Sequence, residues 1–145
     1  GLMFAARSQH LAERIQPALA RGDWVICDRF TDSTYAYQGG GRGMSETLIA
    51  QFEQLTLNGF QPDLTVLLDV PIAIGLARAA QVGAPDRFES EQHAFFERAR
   101  ATFLSRAKAQ ARTKIIDASQ SQATVQRVVL SLVEHHWRSL QGHQP

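Results

Sequence analysis

The chain has a single cysteine, Cys27, so no internal disulfide can hold it together. A reducing compartment fits, and the setting of Cys27 in the apolar run Trp24-Val25-Ile26 reads as a small buried side chain instead of a reactive thiol. No apolar stretch approaches the roughly 18 residues that a membrane span needs. The first residues also lack the basic start, apolar centre and small-residue cleavage site of a secretory leader, so the expected location is cytoplasmic. Charge of one sign is not in excess. Fifteen Lys and Arg against 14 Asp and Glu leave a formal net charge of +1, which gives no overall attraction to nucleic acid or to an anionic membrane. Any phosphate binding must be local. The five histidines lack metal-ligating spacing, and His135 and His136 point about 100° apart on a helix. Arg98, Arg100, Arg106, Lys108, Arg112 and Lys114 make a moderately basic stretch without interleaved aromatics, which reads as a solvated helix face. Neither a protein metal site nor a nucleic-acid partner is expected, and repeats, linkers and low-complexity segments are missing too.

What is present is an ordinary globular composition, 44% hydrophobic and 20% charged over 145 residues, the size of one domain spanning residues 1–145. Phe4, Leu11, Ile15 and Leu19 make one apolar stripe, which predicts an amphipathic helix over residues 1–21, bent or ended near Pro17 and closed by Gly22. Trp24 to Asp28 reads as a buried strand, followed over 29–44 by a stretch too rich in Gly, Thr, Ser and Asp for regular structure. Ser45, Leu48, Ile49, Phe52 and Leu55 predict a capped helix ending at Asn58-Gly59, and Leu64 to Asp69 a second strand. Pro71 suits the first turn of a helix running to about Val82, and GAPD at 83–86 is a loop. A helix over about 91–110, a third strand over 113–117 and a helix over about 121–140 complete the pattern. Strands separated by helices imply parallel pairing through crossovers, hence a layered α/β domain.

In open parallel sheets ligands bind beyond the carboxyl ends of the strands, where Asp28-Arg29, Asp69 and Asp117 fall. For Asp69 and Asp117 the plain reading is strand termination and capping of the next turn. Asp28 differs because Arg29 follows it. An arginine there presents a planar, permanently charged fork to a phosphate, and the adjacent carboxylate can orient it or hold magnesium through water. Tyr37, Gln38 and the run Gly39-Gly40-Gly41-Arg42-Gly43 then gather an aromatic, an amide and a cation on flexible backbone. This run is not a nucleotide P-loop, since it lacks the Gly-Lys-Ser/Thr ending. Phe4 and Arg7, three residues apart, share a helix face and could offer a ring to stack on a base and a cation for its carbonyl.

FAAR, DRF and TDSTYAYQGGGR, in this order and spacing, resemble bacterial thymidylate kinases, and the resemblance continues through PDLTVLLDVP, GLARA, DRFE, FFERAR and IIDAS. It implies a P-loop kinase-type, doubly wound, three-layer α/β fold with a parallel sheet, a homodimer, and transfer of the γ-phosphoryl of magnesium ATP to dTMP. By motif position Phe4 would stack on thymine and Arg7 read its carbonyl edge. Arg29 would hold the acceptor phosphate with Asp28 beside it, Thr34 would face the base, and Tyr37, with Gln38 next to it, would pack under the deoxyribose. Asp28, Arg29 and Arg87 would be the catalytic groups, Arg78 and Arg87 the lid cations, and magnesium would arrive with ATP near Asp28, without direct protein ligands. The combination of Phe4, Arg7 and Tyr37 argues against another nucleoside monophosphate as acceptor.

The chain departs from the family pattern in two places. Relatives open with a strand and a Gly-rich P-loop that cradles the ATP phosphates, and no such motif occurs here, so a fragment or truncated product carrying only the acceptor half is expected. The family's P-loop strand lies between the strands read here at 24–28 and 64–69, which predicts exposed edges and marginal stability. The lid stretch reads Ala79-Ala80-Gln81-Val82-Gly83 where relatives often carry several arginines, which favours slow turnover, while the missing P-loop motif supports the alternative of a catalytically incompetent nucleotide-binding or dimerising remnant.

Overall fold

A computed structural model describes residues 2–84 and 89–142, which fall into two compact units, Gly1–Gln61 and Pro62–Pro145. The first unit is helical. α1 (Leu2–His10) continues without a break in backbone geometry into a π-helical segment (Leu11–Ile15) and then α2 (Gln16–Ala20). Pro17 sits in the first turn of α2 and does not break the run, and Gly22 turns the chain away at φ +85°. The expected stripe is largely realised: Phe4, Leu11 and Ile15 join Tyr35, Ile49 and Leu57 in one buried cluster, whereas Leu19 stays exposed.

The strand expected at Trp24 to Asp28 does not form. A parallel strand exists only through a neighbour's hydrogen bonds, and among the described residues this run belongs to no sheet. Ile26 is 96% exposed, and Cys27 is exposed as well, contrary to the expectation of a buried thiol. The stretch 29–44 departs in the opposite sense, since α3 (Thr31–Thr34) runs into a second π-helical segment, Tyr35–Gly41. Burial overrides weak propensity here: Thr31, Ser33, Thr34, Tyr35 and Ala36 are all buried. Gly39 also has a packing reason, because a Cβ there would stand 3.2 Å from Cδ1 of the fully buried Ile49. α4 (Glu46–Leu57) follows as read. The Ser45 Oγ accepts from the Leu48 N–H at 3.4 Å, and Asn58 ends the helix in the left-handed region at φ 48°.

In the second unit β1 (Thr65–Asp69) pairs in parallel with β2 (Thr113–Asp117), Thr65 opposite Thr113 and Asp69 opposite Asp117. α5 (Ile72–Gln81) and α6 (Ser90–Ala109) lie in the crossover between them, and α7 (Gln122–Gln141) follows β2. Pro71 caps α5 from outside instead of occupying its first turn. A reciprocal pair of hydrogen bonds between Glu89 and Gln92 starts α6, and the Ser121 hydroxyl starts α7. The α/β class holds, with two parallel strands among the described residues where three were expected.

Candidate functional site

α1 places Phe4 and Arg7 one turn apart, and α4 supplies Phe52, whose ring lies 6.2 Å from that of Phe4 at an angle of 12°. The Arg7 guanidinium sits 5.6 Å from the centroid of the Phe4 ring, within cation–π range. Its Nη1 donates to Oγ1 of the buried Thr34, which in turn approaches Sδ of Met3 at 3.2 Å. Burial pulls the Arg7 guanidinium below its ordinary value, opposed in part by the negative charge of Glu53. The side chain remains a cation, since guanidinium titrates so far above neutrality.

Asp28 and Arg29 are exposed. Arg29 adopts φ 64°, a left-handed backbone that costs a non-glycine residue about 1–2 kcal/mol, and its guanidinium stands 5.5 Å from the centre of the Tyr37 ring. The Cys27 thiol contacts the Arg29 carbonyl at 3.5 Å. Gln38 is half-buried and accepts from Arg42 at 3.4 Å, while the Gly43 and Met44 N–H groups bond back to the Gly39 and Gln38 carbonyls and close the glycine run. The structure therefore joins Phe4, Arg7 and Thr34 by direct contact and Arg29 with Tyr37, all within the first unit.

The remaining named residues lie in the second unit. Arg78, read as a lid cation, donates to three successive backbone carbonyls, Ala118 at 2.5 Å, Ser119 at 3.0 Å and Gln120 at 3.3 Å. Arg87 lies outside the described residues. Asp69 is bonded at both oxygens by Arg100, at 2.9 and 3.0 Å, and Asp117 accepts from the Ser119 N–H and hydroxyl at 2.9 and 2.5 Å. Both strand-end carboxylates are thus occupied by structure. A groove along α7 lined by Arg127, Val128, Ser131, Leu132 and His135 contains none of these residues.

One charged residue whose field reaches Arg7 went unread in the sequence. Glu53 of α4 accepts from Gln61 Nε2 at 3.1 Å through Oε1, while its Oε2 is buried with no hydrogen-bond partner. Nothing in the spacing of FEQL marks it. For a divalent cation, Asp28 offers one exposed carboxylate, and no group of three or more His, Cys, Asp or Glu accompanies it among the described residues. That donor set suits magnesium carried in on nucleotide phosphates and met through water, and not a cage of side chains.

Comparison with known proteins brings these features under one description. A family model described as thymidylate kinase matches residues 1–129. A thymidylate kinase of Pseudomonas syringae pv. tomato is 60% identical over 126 residues, 86% of this chain and 60% of that protein. One from Cupriavidus metallidurans is 58% identical over 121 residues, 83% of this chain and 60% of the relative. The crystal structure of thymidylate kinase from Ehrlichia chaffeensis superposes with a TM-score of 0.68 at 31% identity, covering 90% of this chain and 60% of that one, and it carries the P-loop kinase type of α/β fold expected from the sequence. The chain thus spans about 60% of the length of these curated relatives. With the match running through the Phe4–Arg7 helix, the Asp28-Arg29 pair and both strands, this chain belongs to the thymidylate kinase family.

Proposed function

We propose that this chain carries the acceptor half of a thymidylate kinase site and binds dTMP, which an ATP-dependent transfer converts to dTDP. The observation that carries the reading is the Phe4–Arg7–Thr34 cluster, where an aromatic face, a permanent cation and a hydroxyl meet on two helices. A base stacking on Phe4 takes the place now held by the Arg7 guanidinium, and Arg7 then turns its N–H donors to a base carbonyl. Thr34 faces the base edge. Arg29, lifted from Tyr37, holds the acceptor phosphate in two-point contact with Asp28 orienting it, while Tyr37 packs under the sugar beside Gln38. A ribose 2′-hydroxyl would crowd that ring.

Phosphoryl transfer needs positioning and charge stabilisation, so the ATP phosphates require a P-loop segment and cations such as Arg87. Magnesium bound with ATP neutralises phosphate charge, and Asp28 would meet it through water. Homodimer formation and a cytoplasmic location complete this reading; no helix among the described residues is long and apolar enough to cross a membrane. A second reading, a nucleotide-binding or dimerising remnant without turnover, draws on the Arg78 guanidinium, which is committed to three carbonyls and leaves the lid poorer in cations.

Calorimetric titration of the folded chain with dTMP and then with uridine monophosphate tests the proposal. Selective binding of the thymidine nucleotide is the expected outcome. Absence of binding by a folded sample overturns the acceptor-site reading.

A further inference from the structure

Phe52 and Glu53 are neighbours on α4, and Phe52 is the residue that stacks on Phe4. The negative charge of Glu53 bears on Arg7. Its carboxylate is half served: Gln61 occupies Oε1, and Oε2 is shut away from water without any donor. A buried carboxylate oxygen in that state is costlier than an unserved neutral group and needs a reason. Arg7 presents the complementary deficit. Of its five N–H donors, one is used on Thr34, the acceptor it has among the described residues, and the guanidinium otherwise rests on a ring.

We infer that Glu53 is a positioning residue for base recognition: when a base displaces the Arg7 guanidinium from Phe4, Glu53 Oε2 receives Arg7 N–H donors and holds the fork so that its remaining donors meet the base carbonyl. The inference rests on the acceptor-site reading above. A carboxylate behind a guanidinium fixes the plane of the fork, which a hydroxyl such as Thr34, with one contact point, cannot do. Ligand entry then brings donors to Glu53 Oε2, and part of the affinity for a base comes from satisfying it.

The test compares dTMP with deoxyribose 5-phosphate, which carries the same sugar and phosphate but no base, on the full chain and on Glu53→Gln. The glutamine keeps the shape and the bond to Gln61. Loss of a charge-assisted contact predicts about 10- to 100-fold weaker dTMP binding and unchanged binding of the abasic sugar phosphate. Glu53→Asp recovers part of the loss, and combining Glu53→Gln with Arg7→Gln weakens dTMP binding no further than Arg7→Gln alone. Unchanged dTMP affinity in Glu53→Gln, or an equal loss for both ligands, overturns the inference while leaving the acceptor site standing. A folded wild-type chain that binds neither ligand overturns the acceptor-site reading, and this inference with it.

Discussion

The two units treat their charged groups differently. In the second unit each strand-end carboxylate is tied off, Asp69 by the Arg100 fork and Asp117 by Ser119, and Arg78 is spent on three carbonyls. In the first, Asp28 is exposed with no ion-pair or hydrogen-bond partner among the described residues, Arg29 sits in a strained backbone on an aromatic ring, and Glu53 keeps an unserved oxygen. At these positions identical side-chain chemistry serves stability in one unit and leaves bonding capacity unused in the other. Unused capacity next to strain is what a binding site retains, since groups already satisfied by the fold have little to offer a ligand.

The sharpest way to break this contrast is at Arg100. Replacing it with Ala leaves Asp69, whose side chain is 19% exposed, without either donor, and should cost about 2 kcal/mol of stability in denaturant unfolding. A change below about 0.5 kcal/mol would show that the tie is ornamental. Next is Arg29→Gly. Relief of the left-handed backbone outweighs the extra freedom that glycine brings to the unfolded chain, so a gain on the order of 0.5 kcal/mol is expected together with loss of dTMP binding. Destabilisation would mean that the Arg29 conformation is not strained and that the first unit is tied after all. The smallest effect concerns pH. The Ser119 hydroxyl and N–H hold the Asp117 carboxyl below its ordinary 3.8, so its contribution is complete above that value and fades as pH falls through the lowered one. The melting temperature of Asp117→Asn should therefore fall short of the wild type at neutral pH and converge with it only below about pH 4. A difference independent of pH would assign the effect to the turn and not to the charge.

Much of this contrast was legible in the residues. Ser45, Asn58 and Gly59 announced the ends of α4 because capping is local chemistry, and the Asp-Arg pair announced itself because two charges interrupt an apolar run. Trp24 to Asp28 misled for the converse reason: β-branched apolar residues state a preference, but a strand is a relation to a neighbour that these five positions do not encode. The helical turns at 31–41 were hidden by their glycines, whose poor propensity is outweighed by burial of Thr31 to Ala36 and by the space that Ile49 demands at Gly39. Glu53 was invisible because its standing depends on Gln61 and Arg7, eight and 46 positions away, and on an oxygen that only packing removes from water.

The Arg78 clamp has a kinetic side. It joins residues 40 to 42 positions apart, a closure whose entropy would weigh on folding if it came first. The pairing of Leu67 with Ile115 spans 48 positions and brings the end of β2 beside the start of α5, so that if it forms first the arginine meets its carbonyls in a chain already drawn together. Contacts made that late leave the folding rate almost untouched and act on the rate of escape from the native state. Arg78 is in that sense a latch, setting how long the parallel pair lasts once formed.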